Sequence, residues 1–484
     1  MIRHTFVILL SISILTVLAS SGFAIPNVLW IMLDDGRADA LGCYGAPWAK
    51  TPNLDALAAN GVRFETAVVQ NPVCTPARTC MKTGLYAHQT GVIAMGKPAT
   101  TPAAYQKDVW PELPHLLQGW IAAGIRPVNI GKVHAFKSDF NHLGDFDAIV
   151  GNDGSLTPYG ETVVQDNSFQ RVFTDLHKWM IGGVVAVDPK ALRPSRLGEM
   201  AVKQIRELGA ANKPFFLRVS FHSPHVANVI DEDHFIDPST INLPLPTTKS
   251  LASKSTYEKE HIRVYAGATL NKEQIGIARG TYYGMVHLVD DAVGRIIAEL
   301  KEQGLFENTI IAVNSDQGFQ LGEHGVWKKR DFYDTNVCIP MFFHYPKALP
   351  TGKVIDAPVE SIDFLPTLLD LCELEAPKNI EARSLLPLIR GEAPPRSEAV
   401  FSEHDHSADV YEELRDTGGR RVMVRTMDWK LVFFMDERRP EKDGVLYDLK
   451  NDPGETMNLY NNPKNRATVL RLEELAVAWD KRTR

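Results

Sequence analysis

The pattern of hydrophobic positions along the chain predicts strands that are buried on both faces. Four short apolar runs stand out, and each is followed directly by polar side chains. The runs are Asn27 to Leu33, Pro127 to Gly131, Pro214 to Phe221 and Thr309 to Asn314. Continuous apolar runs of this length are typical of strands in a parallel sheet that is covered by helices, whereas half-exposed strands alternate apolar and polar residues.

Helical patterns lie between these runs. Thr51 to Asn60 reads as a capped helix, Pro111 to Ala123 is apolar at helical spacing, and Glu273 to Gln303 is the longest predicted helix. Strands that alternate with helices predict an α/β fold with a large, mostly parallel sheet sandwiched by helices. In such a sheet, ligands bind outside the carboxyl ends of the strands.

The last quarter of the chain has a different pattern. A proline-containing linker at Arg390 to Arg396 is followed by short alternating segments, Arg421 to Arg425 and Trp429 to Phe434, and by a helix from about Asn465. This order predicts a smaller C-terminal α+β domain that contains an antiparallel sheet. The predicted units are a signal peptide (1–24), a large α/β domain (25–392) and a C-terminal α+β subdomain (393–484).

The first residues predict export. Arg3 precedes an apolar run from Phe6 to Leu18, and Gly22-Phe23-Ala24 has the small-x-small pattern of a secretory cleavage site. No later stretch approaches the roughly 18–20 apolar residues that a membrane span needs, so no membrane partner is expected. The sequence contains no Asn-x-Ser/Thr site, which favours a bacterial periplasmic or secreted protein over a lysosomal one.

Composition and charge narrow the function further. The 484 residues are 44% hydrophobic and 23% charged, which is ordinary for a globular protein. The net charge of −7 argues against nucleic acid as a partner. Five cysteines are an odd and sparse number for an exported chain, so disulfide bonds do not define this fold.

The polar residues that follow the apolar runs are the candidate site. They are Asp34 and Asp35, Lys132 and His134, His222 and His225, and Asp316 and Gln317. The carboxylates, with an amide oxygen from Gln317, are hard ligands that suit Ca²⁺ or Mg²⁺ rather than zinc. Adjacent carboxylates at a buried strand end repel each other and need a cation or a proton nearby. The alternative is that Asp34 and Asp35 cap the following helix.

Cys74 is the second focus of the sequence. Thr75-Pro76 and the residues up to Gly84 predict one short helix, with Cys74 at its N-terminus. The positive end of the helix dipole and Arg78, one turn later, would stabilise an anion and lower the pKa of the thiol. The ordinary alternative is a buried cysteine that packs as a small hydrophobic residue.

The run Cys74-Thr75-Pro76-Ala77-Arg78 resembles the Cys-x-Pro-Ser/Ala-Arg signature of the type I sulfatases, which belong to the alkaline phosphatase superfamily. Further segments resemble bacterial, iduronate-2-sulfatase-like members of that family. These segments are Gly131-Lys132-Val133-His134, Ser223-Pro224-His225, Gly322 to Lys329 and Leu446-Tyr447-Asp448. The resemblance implies that a formylglycine-generating enzyme converts Cys74 to formylglycine (3-oxoalanine), which then acts as the nucleophile.

The resemblance also implies a ligand set. A divalent metal, Ca²⁺ with Mg²⁺ as the alternative, would be held by Asp34, Asp35, Asp316, Gln317 and the modified Cys74. Gln317 is a departure, because the family generally has Asn or His there. Its amide oxygen is available but lies one methylene further out than that of Asn.

Roles for the remaining residues follow from the same resemblance. Arg78 would favour the deprotonated hydrate of formylglycine, and Lys132, His225 and Lys329 would bind the sulfate group. His225 or Lys329 would protonate the leaving alcohol, and His134 would help to expel sulfate. The implied function is a sulfuric ester hydrolase that removes sulfate from a sulfated carbohydrate.

Two other functions stay open at this point. A phosphodiesterase or phosphonate monoester hydrolase of the same superfamily can share the fold, the metal and the modified cysteine, and a non-catalytic carbohydrate-binding relative is the third reading. Specificity is expected in the long loop from Asp231 to Ser255 and in His404 to Arg415. The sequence favours a packing or surface role for the histidines His88, His222 and His324.

Overall fold

A computed structural model describes most of the chain. It covers residues 25–94, 113–135, 141–143, 149–150, 156–157, 171–173, 180–226, 229–265, 270–408, 419–435 and 443–484. The predicted signal peptide (1–24) lies outside the described residues, as do residues 409–415 of the predicted specificity segment.

The strands are short except where they form the middle of the main sheet. Their bounds are β1 (Asn27–Asp34), β2 (Val62–Phe64), β3 (Ala67–Val68), β4 (Val128–Gly131), β5 (Asn141–Leu143), β6 (Ile149–Val150), β7 (Leu156–Thr157), β8 (Arg171–Phe173), β9 (Met180–Val185), β10 (Phe216–Pro224), β11 (Ile230–Asp231), β12 (Thr309–Ser315), β13 (Gln320–Leu321), β14 (Trp327–Lys328), β15 (Cys338–Ile339), β16 (Met341–His344), β17 (Lys353–Ile355), β18 (Val359–Glu360), β19 (Val400–Asp405), β20 (Arg420–Arg425), β21 (Trp429–Phe434) and β22 (Val445–Asp448).

Helices connect most of these strands. Their bounds are α1 (Pro52–Ala59), α2 (Cys74–Thr83), α3 (Ala87–Thr90), α4 (Gln118–Ala122), α5 (Arg193–Ala210), α6 (Thr248–Ser253), α7 (Thr256–Val264), α8 (Lys272–Glu302), α9 (Asp334–Val337), α10 (Phe364–Leu371), α11 (Leu386–Arg390) and α12 (Arg466–Thr483).

The central sheet of the described residues is mostly parallel, as predicted. Its strand order is β17-β2-β16-β12-β1-β10-β4-β5, and only β16 runs antiparallel to its neighbours. The four predicted apolar strands lie side by side in its middle as β12-β1-β10-β4. Leu33 pairs with Ser315 and Ser220 pairs with Gly131, so the carboxyl ends of these strands lie at one edge of the sheet.

The central sheet is buried on both faces, which explains its continuous apolar runs. Because successive side chains of a strand point to opposite faces, β1 contributes to two separate cores. Trp30 packs with α2, α4 and α10 on one face, and Ile31 packs with α1, α5 and α8 on the other. The prediction of a sheet sandwiched by helices is confirmed.

Two local predictions are wrong. The helix predicted from Pro111 to Ala123 is observed only over Gln118–Ala122 within the described residues. Pro114 accounts for the shorter helix, because proline lacks the backbone N–H and disfavours helical geometry at the residue before it. The segment predicted as a loop from Asp231 to Ser255 contains α6, which a reciprocal pair of hydrogen bonds between Thr247 and Ser250 caps.

The C-terminal part of the chain forms the predicted antiparallel sheet, in the order β19-β20-β21-β22. One face of this sheet places Met423 and Val432 in the main core, while the other packs Val422 and Val424 against α12. The sheet therefore shares a core with the larger part of the molecule. The exposed run at residues 391–398 agrees with the predicted linker, but the exact division at residue 392 stays a prediction.

Two further observations concern membrane-spanning helices and disulfide bonds. No helix among the described residues is long and apolar enough to cross a membrane. The five cysteines all lie in described parts of the chain and form no disulfide bond, which agrees with the expectation that disulfides do not define the fold.

Candidate active site

The carboxyl ends of four parallel strands bring the candidate residues together. Asp34 and Asp35 lie at the end of β1, and Asp316 follows β12. Lys132 follows β4, and His225 follows β10. The convergence that was predicted from the apolar runs is therefore observed.

Cys74 lies at the first position of α2, as predicted. The helix ends at Gly84, whose φ of 71° is the left-handed conformation that glycine adopts readily. Cys74 is 2% exposed. Burial alone raises the pKa of a thiol, but Lys329 and Lys132, with a smaller effect from Arg78, lower the pKa of Cys74 below its ordinary value.

Each of the three aspartates at this edge is paired with one buried cationic side chain. The pairs are Lys132 with Asp34, Lys329 with Asp35, and Arg78 with Asp316. Lys329 Nζ lies 2.6 Å from Asp35 Oδ1, and Arg78 Nε lies 2.6 Å from Asp316 Oδ2. Three negative and three positive groups sum to zero, so a bound divalent cation leaves a charge of +2 for an anionic substrate.

Three oxygen atoms at this edge are buried and have no hydrogen-bond partner among the described residues. They are Asp34 Oδ1, Asp35 Oδ2 and Gln317 Oε1. The carboxylates of Asp34, Asp35 and Asp316 also offer oxygen atoms within 4.8 Å of one another. Unsatisfied buried oxygens are costly, and an oxygen-rich set of this kind suits a hard divalent cation. The residues predicted from the sequence therefore fit a cation of the Ca²⁺ or Mg²⁺ class.

The three carboxylates differ in their affinity for a proton. Burial raises the pKa of Asp35 to about 7 despite Lys329, and raises that of Asp316 to about 6 despite Arg78. Burial acts in the same direction on Asp34, but Lys132, His225 and Arg78 together hold the pKa of Asp34 well below its ordinary value. A carboxylate cluster without a metal needs such protons or cationic partners.

Two histidines lie beside the aspartates. His225 Nε2 is 3.9 Å from Asp35 Oδ2, and His222 Nε2 is 4.0 Å from Asp34 Oδ2. Their rings are 4.7 Å apart. Burial lowers the pKa of both histidines well below the ordinary value, and Lys132 acts in the same direction on each. His222 was expected to have a packing or surface role, although it was also among the polar residues predicted at the strand ends, and the structure places it in this site beside His225.

Sequence reasoning also missed the residues that hold Arg78. The Nη1 group of Arg78 donates to Ser220 Oγ over 3.1 Å and to the carbonyl oxygen of Lys132 over 3.3 Å. Arg218 donates to the same two oxygens, over 2.8 Å to the Lys132 carbonyl and 3.2 Å to Ser220 Oγ. Ser220 and Arg218 alternate with the apolar positions of β10, so a polar residue inside a buried strand was the available signal.

The positions of Lys329 and His134 rest on unusual backbone geometry. Lys329 follows β14, which pairs with β13 just beyond Gln317. The next residue, Arg330, has a φ of 91°, and His134 has a φ of 48°. Positive φ values are uncommon for residues other than glycine and occur often at functional sites. The catalytic role of His134 stays a prediction.

A set of buried polar contacts connects the loop after Lys329 to the C-terminal sheet. We call it the buried clamp; its members are Glu258, Tyr333, Asp334, Lys430 and Tyr447. Glu258 accepts hydrogen bonds from the hydroxyl groups of Tyr333 and Tyr447. Lys430 Nζ lies 2.5 Å from Asp334 Oδ1 and donates to the carbonyl oxygen of Phe332 over 2.8 Å. The C-terminal sheet thus holds the segment that follows Lys329.

The other two histidines set aside in the sequence have packing roles. His88 contacts Glu403 and Arg420, and His324 stacks on Tyr333 with ring centroids 3.6 Å apart. Burial lowers the pKa of His324 well below its ordinary value. Both agree with the prediction.

Comparisons with known proteins address the family directly. A family model described as "Sulfatase" matches residues 26–374, and one described as "N-sulphoglucosamine sulphohydrolase, C-terminal" matches residues 322–481. The N-acetylglucosamine-6-O-sulfatase of Bacteroides thetaiotaomicron is 27% identical over 492 aligned residues, covering 90% of this chain and 82% of that protein.

Solved structures that share the fold include the following two. The phosphonate monoester hydrolase SpPMH from Silicibacter pomeroyi has a TM-score of 0.77 at 23% identity, covering 95% of this chain and 96% of that one. The structure of BT4656 in complex with its substrate D-glucosamine-2-N,6-O-disulfate has a TM-score of 0.72 at 22% identity, covering 95% and 98%. Because the first family model spans more than half of the chain, the protein is a hydrolase that belongs to the sulfatase family, within the alkaline phosphatase-like superfamily.

Proposed function

We propose that this sulfatase removes sulfate from a sulfated carbohydrate, using formylglycine formed at Cys74 and a divalent cation bound beside it. One observation carries the proposal. Three buried aspartates and three buried cationic side chains meet in charge-balanced pairs at the strand ends that surround Cys74. An ordinary buried cysteine has no need of such surroundings.

The cation in this proposal is Ca²⁺, with Mg²⁺ as the alternative. Asp34, Asp35, Asp316 and Gln317 would hold it, together with the modified Cys74. Asp34 Oδ1, Asp35 Oδ2 and Gln317 Oε1, which have no hydrogen-bond partner among the described residues, are oxygen ligands of the kind that such an ion requires. When bound, the cation supplies charge neutralisation close to the nucleophile and the substrate.

The cationic side chains bind the sulfate group in this proposal. Lys132 and Lys329 both act on the pKa of Cys74, so their ammonium groups lie near the atom from which the nucleophile forms. Each is anchored by a buried aspartate, which fixes its position before the substrate arrives. Arg78 is held by Asp316 and Ser220 and orients the nucleophile from the first turn of α2.

His225 is the proposed general acid. Its Nδ1 lies within hydrogen-bonding distance of the carbonyl oxygen of Val226, which only accepts, so Nδ1 carries a proton. Nε2 is the nitrogen near Asp35, so His225 would act as the acid in its doubly protonated form, in which Nε2 carries a second proton and passes it to the leaving alcohol. Lys329 is the alternative acid, and His134 is the proposed base for release of sulfate.

A sulfated amino sugar is the first substrate class to test. The name of the relative from Bacteroides thetaiotaomicron and the sugar bound to BT4656 support this choice. The amino-terminal apolar run supports export to the periplasm or the medium, where sulfated polysaccharides are accessible. Maturation would require the formylglycine-generating enzyme as a transient partner.

Mass spectrometry of the tryptic peptide Phe64 to Arg78 tests the modification. Active protein should show an aldehyde in place of the thiol of Cys74, and Cys74→Ala should abolish turnover. Cys80→Ala is the matched control, because Cys80 is buried in the same helix and burial raises the pKa of its thiol. Full activity in protein that carries only unmodified Cys74 would contradict the mechanism.

Rates on paired substrates test the reaction. A sulfate ester and a phosphonate monoester of the same alcohol should be compared, followed by defined sulfated amino sugars. The proposal expects a higher kcat/KM for the sulfate ester. A preference for the phosphonate monoester would favour the alternative hydrolase, and no turnover of any ester by modified protein would favour a binding protein.

A further inference from the structure

A second group of potential metal ligands lies outside the active-site edge. His234 follows β11, while His287 and Asp291 lie one turn apart on α8. Their ligand atoms are all within 4.8 Å of one another. His234 Nε2 is 3.1 Å from Asp291 Oδ2, and His287 Nε2 is 4.0 Å from Asp291 Oδ1. The proposed reaction uses none of these residues.

Glycines on α8 allow the segment that carries His234 to lie directly against the helix. A Cβ atom at Gly284 would lie 2.8 Å from the carbonyl oxygen of His234, and one at Gly280 would lie 2.4 Å from that of Ile236. Close backbone approach of this kind requires glycine. His287 and Asp291 lie on α8 after these glycines, four residues apart and on one face of the helix. The close packing at the glycines therefore places His234 beside them.

A buried aspartate orients His234. Asp231 is 2% exposed, and its Oδ1 accepts hydrogen bonds from His234 Nδ1 over 2.8 Å and from the His234 backbone N–H over 3.2 Å. The Nδ1 proton is thereby committed to Asp231, which leaves the Nε2 lone pair directed at Asp291. Histidine ligands of metals typically donate the other ring N–H to a carboxylate in this way.

The contact between His234 Nε2 and Asp291 therefore requires a positive species. A neutral imidazole nitrogen and a carboxylate oxygen are both acceptors, and at 3.1 Å they repel unless a proton or a metal ion lies between them. Burial alone lowers the pKa of His234, but the two aspartates raise it above its ordinary value. Lys50 is a further positive group that acts on His287.

We propose that His234, His287 and Asp291 bind a divalent metal ion of the zinc class. Ligand atoms 2.0–2.2 Å from a tetrahedral zinc ion lie about 3.3–3.6 Å apart. The two imidazole nitrogens lie 3.1 and 4.0 Å from different oxygens of the Asp291 carboxylate, and one ligand atom of each residue lies within 4.8 Å of the other two, which is close to this spacing. Two imidazole donors distinguish this site from the oxygen-rich set at the active site. The side chain of Asp291 is 42% exposed, so water can complete the coordination.

Zinc titration in the presence of saturating Ca²⁺ tests the proposal. Isothermal titration should show one more zinc equivalent in the wild type than in His287→Ala or Asp291→Asn, or at least a tenfold loss of affinity in these variants. Zinc should also raise the unfolding temperature of the wild type more than that of the variants. Glu302→Gln is the matched control, because it removes an exposed carboxylate from the same helix without touching the cluster.

Equal zinc binding by the wild type and both ligand variants would overturn the proposal, since any zinc at Cys74 is common to all of them. A wild type that binds no zinc equivalent dependent on Asp291 would also overturn it. The cluster would then be a proton-bridged link between Asp231, His234 and Asp291. Because Asp291 is partly exposed, Asp291→Asn gives a readable result even if His287→Ala impairs folding.

Discussion

Replacement of Gln317 by methionine separates the cation site from the stability of the surrounding structure. Methionine keeps the length of the side chain and removes both polar atoms of the amide. In the structure Gln317 Nε2 donates to Asp35 Oδ1, while Gln317 Oε1 is buried and has no hydrogen-bond partner in the described part of the chain. The substitution therefore removes one favourable contact and one unsatisfied acceptor at the same time.

These two effects nearly cancel in the absence of a cation. Loss of a hydrogen bond to a charged group costs about 1.5–3 kcal/mol, and removal of an unsatisfied buried acceptor gains about 1–3 kcal/mol. Asp35 Oδ1 keeps its contact with Lys329 at 2.6 Å, so it is not left unpaired. We expect the free energy of unfolding without Ca²⁺ to change by less than about 2 kcal/mol.

With Ca²⁺ the effects no longer cancel, because the variant lacks one ligand. We expect Ca²⁺ affinity to fall about 10–100-fold, which corresponds to about 1.4–2.8 kcal/mol of binding free energy. Calorimetric titration measures the affinity, and thermal unfolding with and without Ca²⁺ measures the stabilisation.

Gln320→Met is the matched control for this experiment. Gln320 is also a buried glutamine whose Oε1 has no hydrogen-bond partner within the described ranges, but its amide nitrogen donates to Asp331 and it lies outside the ligand set. Its substitution should leave Ca²⁺ affinity unchanged. Unchanged affinity in Gln317→Met, or an equal loss in Gln320→Met, would refute the assignment of Gln317 as a ligand.

Three further predictions concern the acid, the fold and pH. His225→Ala should lose about 10²–10⁴-fold in rate on a sulfated sugar but much less on a nitrophenyl sulfate, whose leaving group needs no proton; equal losses would make Lys329 the acid. Gly131→Ala should destabilise the protein by about 2–4 kcal/mol in chemical unfolding, because φ is +89° and the new Cβ would lie 2.2 Å from the Ser220 carbonyl oxygen. Gly304→Ala is the control, because Gly304 has a φ of +66° but an added Cβ atom would meet open space; it should destabilise the protein by only about 1 kcal/mol. Equal destabilisation by the two substitutions would contradict the packing argument. Burial raises the pKa of Asp363 from 3.8 to about 7, so ionisation of this carboxyl destabilises the folded state as pH rises through this interval. The free energy of unfolding of Asp363→Asn should therefore increase relative to that of the wild type by up to about 4 kcal/mol between pH 4 and 7. A difference between the two proteins that does not change with pH would refute this.

Local signals in the sequence predicted the parts of the site that depend on local structure. The helix at Cys74 follows from Pro76 and Gly84, and the strand ends follow from apolar runs that stop at charged residues. Because parallel strands in one sheet end at the same edge, these signals also predicted which residues converge. The β12-β1-β10-β4 arrangement confirms that reasoning.

Contacts between distant segments were beyond sequence reasoning. The pairing of each aspartate with a particular cation depends on strand order and on the path of the loop after β14, and neither has a periodic signature. Lys329 was identified only through a family resemblance. The antiparallel strand β16 was not predicted either, because an apolar run buried on both faces reads the same in either direction.

The buried clamp has a consequence for recombination between related genes. The carboxylate of Glu258 lies on α7, but two of the groups that hold the loop after Lys329, Tyr447 and Lys430, belong to the C-terminal sheet. A chimera that joins residues 1–392 of this chain to the C-terminal segment of a relative must therefore also bring compatible partners for Glu258 and Asp334. Without them, the exchange would leave buried charges unpaired next to the active site, so inheritance of this segment is coupled to that of α7 and the loop after Lys329.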